Sequence, residues 1–186
     1  MLVRSVSLIV AAALSLVPTG AFELLRAPSR IEFFVQDNRG GFTGVVHDVS
    51  ASATVREQGD SFAGDIQVQI DARTITTGIG LRDRQMRRDF LETDTFPFIT
   101  FRGSVAPTDR IGALPFRALL KGMLTIKQVT QQVEIPVRIT ALRDSYLAEG
   151  QVTIRLSEFK IPIPRLLIFV AEDPVTITLK VRFGQK

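Results

Sequence analysis

Residues 175–183 read VTITLKVRF, a stretch in which apolar and polar side chains alternate without a break. Alternation with a period of two is typical of a β-strand that buries one face and exposes the other. The same pattern recurs at 30–36, 65–71, 132–140 and 151–156. Weaker strand patterns lie near 47–57, 98–107 and 116–127. The sequence therefore predicts about eight strands.

Turn-forming residues separate these strands. Gly, Asn, Asp, Pro and Ser cluster at 38–41, 58–60, 107–109 and 143–145. Short turns favour an antiparallel series, which must bury its apolar faces against a second sheet or close on itself. Strands of up to about ten residues, with a helix inserted between them, favour closure. We expect an all-β fold, an antiparallel, about eight-stranded, lipocalin-like β-barrel, with an immunoglobulin-like sandwich as the alternative.

One short helix is predicted near 81–91. Met86 and Phe90 are spaced i, i+4 there, so they share one side of the helix. Gly78 and Gly80 precede this segment and Pro97 follows it, as expected at the borders of a helix. We expect the helix to cap the barrel with its apolar side turned inward.

The start of the chain has the pattern of a secretory signal. An apolar run of about 12 residues follows Arg4 and ends in small residues near Ala21. Such a run is shorter than the roughly 20 residues that a membrane-spanning helix needs. We predict a signal peptide at 1–21 and one domain at 22–186, periplasmic or secreted, with a retained anchor as the alternative.

The composition narrows the range of functions. The chain contains no Cys, so a disulfide framework and a thiolate metal site are excluded. The formal net charge of +4 is spread along the chain, and no basic run indicates nucleic-acid binding. His47 is the only histidine, and neither a nucleophile elbow nor a nucleotide-binding loop accompanies it. We expect no catalytic residues, no metal and no cofactor, and we expect His47 to be a hydrogen-bonded surface residue.

Charged residues are concentrated around the predicted helix. Four carboxylates (Asp83, Asp89, Glu92 and Asp94) lie among four arginines (Arg82, Arg84, Arg87 and Arg88). The simpler interpretation is that they form ion pairs at helix spacing. The alternative is that Arg82 and Arg87 lie at the barrel mouth and bind a phosphate or another polar head group.

Residues 159–170 read FKIPIPRLLIFV and combine two prolines with many apolar side chains. Pro162 and Pro164 are incompatible with a regular central strand or helix. An apolar loop of this kind lines a ligand entrance, contacts a membrane surface transiently, or packs over the core. Phe159 and Phe169 are the aromatic residues of this segment.

Five short motifs occur in the order in which one known family carries them. They are GLRDRQMR at 80–87, FPFITF at 96–101, KGMLTI at 121–126 followed by VT at 129–130, LSEFKIP at 156–162 and EDPVTI at 172–177. Together they cover about residues 28–183 and make the chain similar to the YceI-like polyisoprenoid-binding family. Gln85 stands where many members have His, and Gln128 and Lys160 each replace a common Gly.

The resemblance implies an exported, lipocalin-like barrel that holds a polyisoprenoid or a similar long-chain lipid in its lumen, for transport, storage or sequestration. The strand alternation places Phe33, Ile99, Phe101, Leu124 and Ile126 on inward faces. With Met86 and Phe90 on the helix, and Phe159 and Phe169 in the apolar loop, these are the predicted lipid-binding residues. The alternative function is a stress-response or interaction module whose barrel is filled by side chains and carries no lipid.

Overall fold

The computed structural model describes residues 19–58, 61–108, 115–166 and 169–186. The predicted signal peptide lies almost wholly outside these residues, so its cleavage after Ala21 stays a prediction. The side chain of Phe169 also lies outside the described part of the structure, although its backbone is included.

Ten antiparallel strands form within the described residues, and they account for most of the chain. Their bounds are β1 Gly20–Asp37, β2 Phe42–Val46, β3 Val49–Gln58, β4 Ser61–Asp71, β5 Phe98–Pro107, β6 Phe116–Ile126, β7 Val129–Ala141, β8 Tyr146–Arg155, β9 Arg165–Leu166 and β10 Phe169–Gln185. Consecutive strands from β3 through β8 pair with one another, and β8 then pairs with β10.

The sheet closes because β1 pairs along its length with β10, from Phe22 opposite Gln185 to Val35 opposite Val175. Eight strands thus form a closed barrel, as the alternation predicted. The remaining two strands are short additions. β2 precedes β3 in the chain and pairs with the second half of β1, whereas β9 forms a two-residue hairpin with β10.

β1 is irregular in its middle. Leu25 pairs with Arg182 and Arg30 with Lys180, so four residues of β1 stand opposite the single residue Val181. This bulge separates the part of β1 that pairs with β3 from the part that pairs with β2. The alternation at 30–36 predicted only the second part, because the polar residues of the bulge interrupt the pattern.

The predicted helix is confirmed and crosses one end of the barrel. It begins as α1, Gly80–Gln85, and continues as a π-helical turn over Met86–Phe90. In that turn the backbone N–H of Leu91 donates to the carbonyl of Met86 at 2.8 Å. Two further turns in the described part of the chain are 3₁₀-helical, at Ala72–Thr74 and Ser157–Phe159.

The buried side chains form two clusters, one toward each end of the barrel. The cluster at the end away from α1 contains Phe62, Phe101 and Phe116, with Val105 and Val137 beside them. The cluster at the α1 end is described by Val35, Ile126, Ile154, Phe159, Ile161, Ala171 and Val175. Apolar side chains between the clusters are only partly buried, which indicates space inside the barrel.

Candidate functional site

An apolar cavity of about 730 Å³ runs through the barrel. Its lining comes from the barrel strands, from β2 and from α1 with the π-helical turn. Among the described residues, the side chains in this lining are apolar with six exceptions: Glu32, Asp37, Arg39, Arg82, Gln85 and Tyr146. A volume of roughly 300–1,000 Å³ is typical of sites for small organic ligands.

Seven predicted lipid-binding residues line this cavity together: Phe33, Met86, Phe90, Ile99, Phe101, Leu124 and Ile126. Strand pairing explains why they converge. Phe101 stands opposite Val68 on one side and opposite Leu124 on the other, and all three side chains point inward. Their role in binding a lipid stays a prediction, but their common location is a property of the fold.

Phe159 does not line the cavity, contrary to the expectation for the apolar loop. It is fully buried in the cluster at the α1 end, at 0% exposure. The turn that carries it is fixed to β10, because Asp173 accepts hydrogen bonds from the backbone N–H of Ser157 at 2.8 Å and from its hydroxyl at 2.7 Å. These hydrogen bonds lower the pKa of Asp173, with a smaller contribution from Arg155. Of the three alternatives for this loop, packing over the core describes Phe159.

The cavity opens between the β1–β2 turn and the start of α1. Of the lining residues that the structure describes, three are exposed, namely Arg39, Ile79 and Leu81. Ile79 and Leu81 are 54% and 59% exposed. The polar lining residues Asp37 and Gln85 lie in the same two segments. The mouth is therefore the polar end of an otherwise apolar space.

Arg82 is held at this mouth in a fixed position. Its guanidinium carbon lies 3.9 Å from the centre of the Phe42 ring, a cation–π distance. Its Nε donates to the Thr77 hydroxyl at 2.7 Å and its Nη2 to the Thr77 carbonyl at 2.9 Å. The Thr77 hydroxyl in turn donates to Asp83 at 2.6 Å. A cation in this position can bind an anionic or strongly polar group at the entrance.

Of the two predicted head-group residues, Arg82 lines the cavity and Arg87 does not. Arg87 is not part of the cavity lining, and its Nη1 donates to the backbone carbonyls of Arg73 and Ile75 at 3.1 and 3.2 Å. It ties the π-helical turn to the 3₁₀ turn at Ala72–Thr74. The geometry supports a head-group role for Arg82 and a structural role for Arg87.

The expectation of ion pairs at helix spacing is wrong for three of the four carboxylates, namely Asp83, Glu92 and Asp89. Asp83 is buried and accepts from the backbone N–H and the hydroxyl of Thr77. Glu92 pairs with Lys127, which lies in the distant β6–β7 turn. Asp89 does pair with an arginine, but its partner is the adjacent Arg88, at 2.6 Å.

The end of the barrel opposite α1 is rich in aromatic contacts. Phe62 and Phe116 pack edge to face with ring centres 5.4 Å apart, and Phe22 and Tyr146 do so at 5.6 Å. All four side chains line the cavity. Packing of this geometry adds about 0.5–1.5 kcal/mol per pair beyond the buried area. These aromatic pairs therefore lie at the end of the cavity away from its exposed lining residues at α1.

The described residues lack two features of other kinds of site, a metal-binding cluster and a membrane-spanning helix. No group of three or more His, Asp or Glu side chains in them is arranged to hold a metal ion. His47 is exposed, and its Nε2 lies 2.8 Å from the hydroxyl oxygen of Thr76, as expected for a hydrogen-bonded surface histidine. In the same residues, no helix has the length and apolar character needed to cross a membrane.

Sequence patterns missed the mouth residues Arg39, Phe42, Ile79 and Leu81. β2 was missed because Gly44 occupies an inward position where the pattern requires an apolar side chain. A Cβ atom on Gly44 would lie 2.1 Å from the Phe33 ring, so the glycine makes room for that ring. A signal was available at the start of α1, where the apolar residues Ile79 and Leu81 flank Gly80 just before Arg82.

Comparison with known proteins identifies relatives of this fold. The model of one protein family, the YceI-like domain, matches residues 22–183. BcnA from Burkholderia cenocepacia has a similar structure, with a TM-score of 0.72, 22% identity and coverage of 86% of this chain and 98% of that chain. A polyisoprenoid binding domain from Saccharophagus degradans gives a TM-score of 0.71 at 16% identity, covering 89% and 98% of the two chains.

A third similar structure is the YCEI protein of Campylobacter jejuni, with a TM-score of 0.58, 19% identity and coverage of 77% of this chain and 84% of that chain. At these identities the structural similarities establish the fold. A search of curated proteins found no match.

Proposed function

The chain belongs to the YceI-like family, and we propose that it is an exported, non-catalytic protein that holds a polyisoprenoid or a similar long-chain lipid in its barrel. The role would be transport, storage or sequestration of that lipid. Support for export comes from the signal pattern at 1–21. Support for the lipid class comes from the family and from the similar fold of a polyisoprenoid binding domain.

The observation that carries this proposal is the shape and polarity of the cavity. An apolar channel of about 730 Å³ with Arg39 and Arg82 at its mouth suits a ligand that has a long hydrocarbon tail and a single polar head. The tail would lie against Phe101 and Leu124, and the head would lie beside Arg82. Burial of apolar surface contributes about 25 cal/mol per Å², from which the cost of association is subtracted.

Two other functions are less well supported. An interaction module with a side-chain-filled barrel is disfavoured because the described side chains leave the cavity open. An enzyme acting on lipids would need a nucleophile or an acid–base pair inside the cavity. The acidic lining residues are Glu32 and Asp37: Glu32 pairs with Arg30, and Asp37 accepts from the backbone N–H groups of Arg39 and Gly41. Both carboxylates thus have structural partners.

Chain length should determine affinity if the ligand lies along the channel. We expect geranylgeraniol to displace a fluorescent apolar probe from the protein at least tenfold more effectively than the short-chain alcohol geraniol does. The reason is that each additional buried methylene contributes about 0.8 kcal/mol before ordering costs. Competition titrations at equal probe concentration measure this ratio. Equal potency of the two alcohols would contradict a long channel.

A further inference from the structure

The two most exposed large apolar side chains of the described residues lie at the cavity mouth. They are Ile79 and Leu81, at 54% and 59% exposure. Both also line the cavity, so they form a continuous apolar path from the surface into the barrel. Isolated exposed apolar residues are common on proteins, but a patch at the entrance of a lipid-sized cavity indicates contact with another apolar surface.

Neighbouring segments extend this patch. We define the mouth rim as residues 37–42, 77–86, 160–166 and 169–170. Asn38 joins the first segment to the last: its backbone N–H donates to the Val170 carbonyl, and its side chain accepts from the Val170 N–H, both at 3.2 Å. Arg82 lies over Phe42 and so joins the first segment to the second. The rim also contains Ile163 and Val170, each 39% exposed.

The mouth rim is also positively charged. It contains five cationic residues and two carboxylates: Arg39, Arg82, Arg84, Lys160 and Arg165 against Asp37 and Asp83. Asp83 is buried and bonded to Thr77, and Asp37 accepts two backbone N–H groups of its own turn. The exposed charge of the rim is therefore dominated by cations, although the chain as a whole is only mildly basic.

We propose that the mouth rim docks on the surface of a bilayer that contains anionic phospholipids. Ile79 and Leu81 enter the boundary between head groups and acyl chains, while Arg84 and Arg165 bind lipid phosphates. This inference rests on the proposed function, because docking in this orientation places the cavity opening against the acyl chains. A lipid tail then passes between bilayer and cavity without crossing water, which removes the main cost of its transfer.

Vesicle flotation tests the docking surface. The full chain should bind vesicles of equal parts phosphatidylglycerol and phosphatidylcholine, and it should bind phosphatidylcholine vesicles much more weakly. The double variant Arg84→Glu with Arg165→Glu should bind the anionic vesicles roughly thirtyfold more weakly, since each cation near an anionic surface contributes to attachment. Leu81→Ser should also weaken binding to the anionic vesicles. High salt should weaken the binding of the parent protein to them.

Matched control variants show whether the effect on vesicle binding depends on the position of the changed residues in the rim, and not only on the total charge or the exposed apolar area of the protein. Arg102→Glu with Arg138→Glu makes the same charge change on the outer wall of the barrel, and Met123→Ser removes an apolar side chain that is 46% exposed there. Neither control should change vesicle binding. The docking proposal would be overturned if the rim and wall variants lost vesicle binding equally, or if the parent protein did not bind the anionic vesicles.

The test also distinguishes failure of docking from failure of the proposed function. Neither Arg84 nor Arg165 lines the cavity, so geranylgeraniol should displace the fluorescent probe equally well from the charge variant and from the parent. Normal displacement without vesicle binding overturns docking alone. Vesicle binding without displacement by any isoprenoid overturns the proposed function.

Discussion

Phe159→Ala should lower the free energy of unfolding by about 3–5 kcal/mol, the usual effect of truncating a buried aromatic residue to alanine. Phe159 is 0% exposed and packs in the cluster at the α1 end of the barrel. Its turn is fixed to β10 through Asp173, so the surrounding backbone cannot collapse freely into the space that the ring leaves. Chemical denaturation of the ligand-free protein measures the loss.

Phe34→Ala is the matched control, because Phe34 lies on the outer face of β1 and is 38% exposed. Phe34→Ala should lower the free energy of unfolding clearly less than Phe159→Ala does, since the Phe34 ring is already partly in water. Because Phe159 does not line the cavity, folded Phe159→Ala should still bind geranylgeraniol with nearly the affinity of the parent protein. A stability loss below about 1 kcal/mol for Phe159→Ala would contradict its role in the core.

Loss of a cavity-lining side chain should instead reduce ligand affinity. Phe101→Ala and Met86→Ala should each weaken the binding of a long isoprenoid by about 1–3 kcal/mol, the transfer free energy of the lost side chain. Phe101 lies on β5, between β4 and β6, and Met86 lies on the π-helical turn that follows α1. Competition titration measures the affinities, and circular dichroism verifies that both variants are folded.

Glu134→Ala is the control for this pair. Glu134 lies on the outer face of β7, where it pairs with Lys121 at 2.7 Å, and a surface ion pair of this kind contributes little. Its replacement should leave affinity unchanged. If both alanine variants bind as tightly as the parent while Glu134→Ala does not, the assignment of inner and outer faces is wrong.

The barrel could be predicted from sequence because its strands bury one face and expose the other. In β7, Val133, Ile135 and Val137 line the cavity, while the intervening residues face water. A period of two encodes this division directly, so inward residues such as Phe101 could be assigned before the structure was known. The helix was predictable for a similar reason, from the spacing of Met86 and Phe90.

Features that depend on contacts between distant segments could not be predicted. The burial of Phe159 depends on Asp173 of β10, and the partner of Glu92 is Lys127 in another turn. The partner of Asp83 is Thr77, which lies before the helix and not on it. Local spacing predicted arginine partners for these carboxylates, because helix periodicity describes neighbours on one helix and not the segments packed against it.

The location of the mouth could likewise not be predicted from the periodicity of apolar residues in the sequence. It is formed where the turn after Asp37 meets the start of α1, and these two segments are joined by the contact of Arg82 with Phe42. Neither segment alternates in a way that marks an opening. Exposure of Ile79 and Leu81 becomes informative only when the cavity beneath them is known.

Native mass spectrometry of the protein purified without detergent from its own host tests the central claim most directly. We expect a bound species whose mass corresponds to one long-chain isoprenoid lipid per protein molecule, and we expect its release when the protein is unfolded. Phe101→Ala purified in the same way should carry less of it. A protein that is recovered with an empty cavity, and that takes up no isoprenoid when one is supplied, would contradict the account.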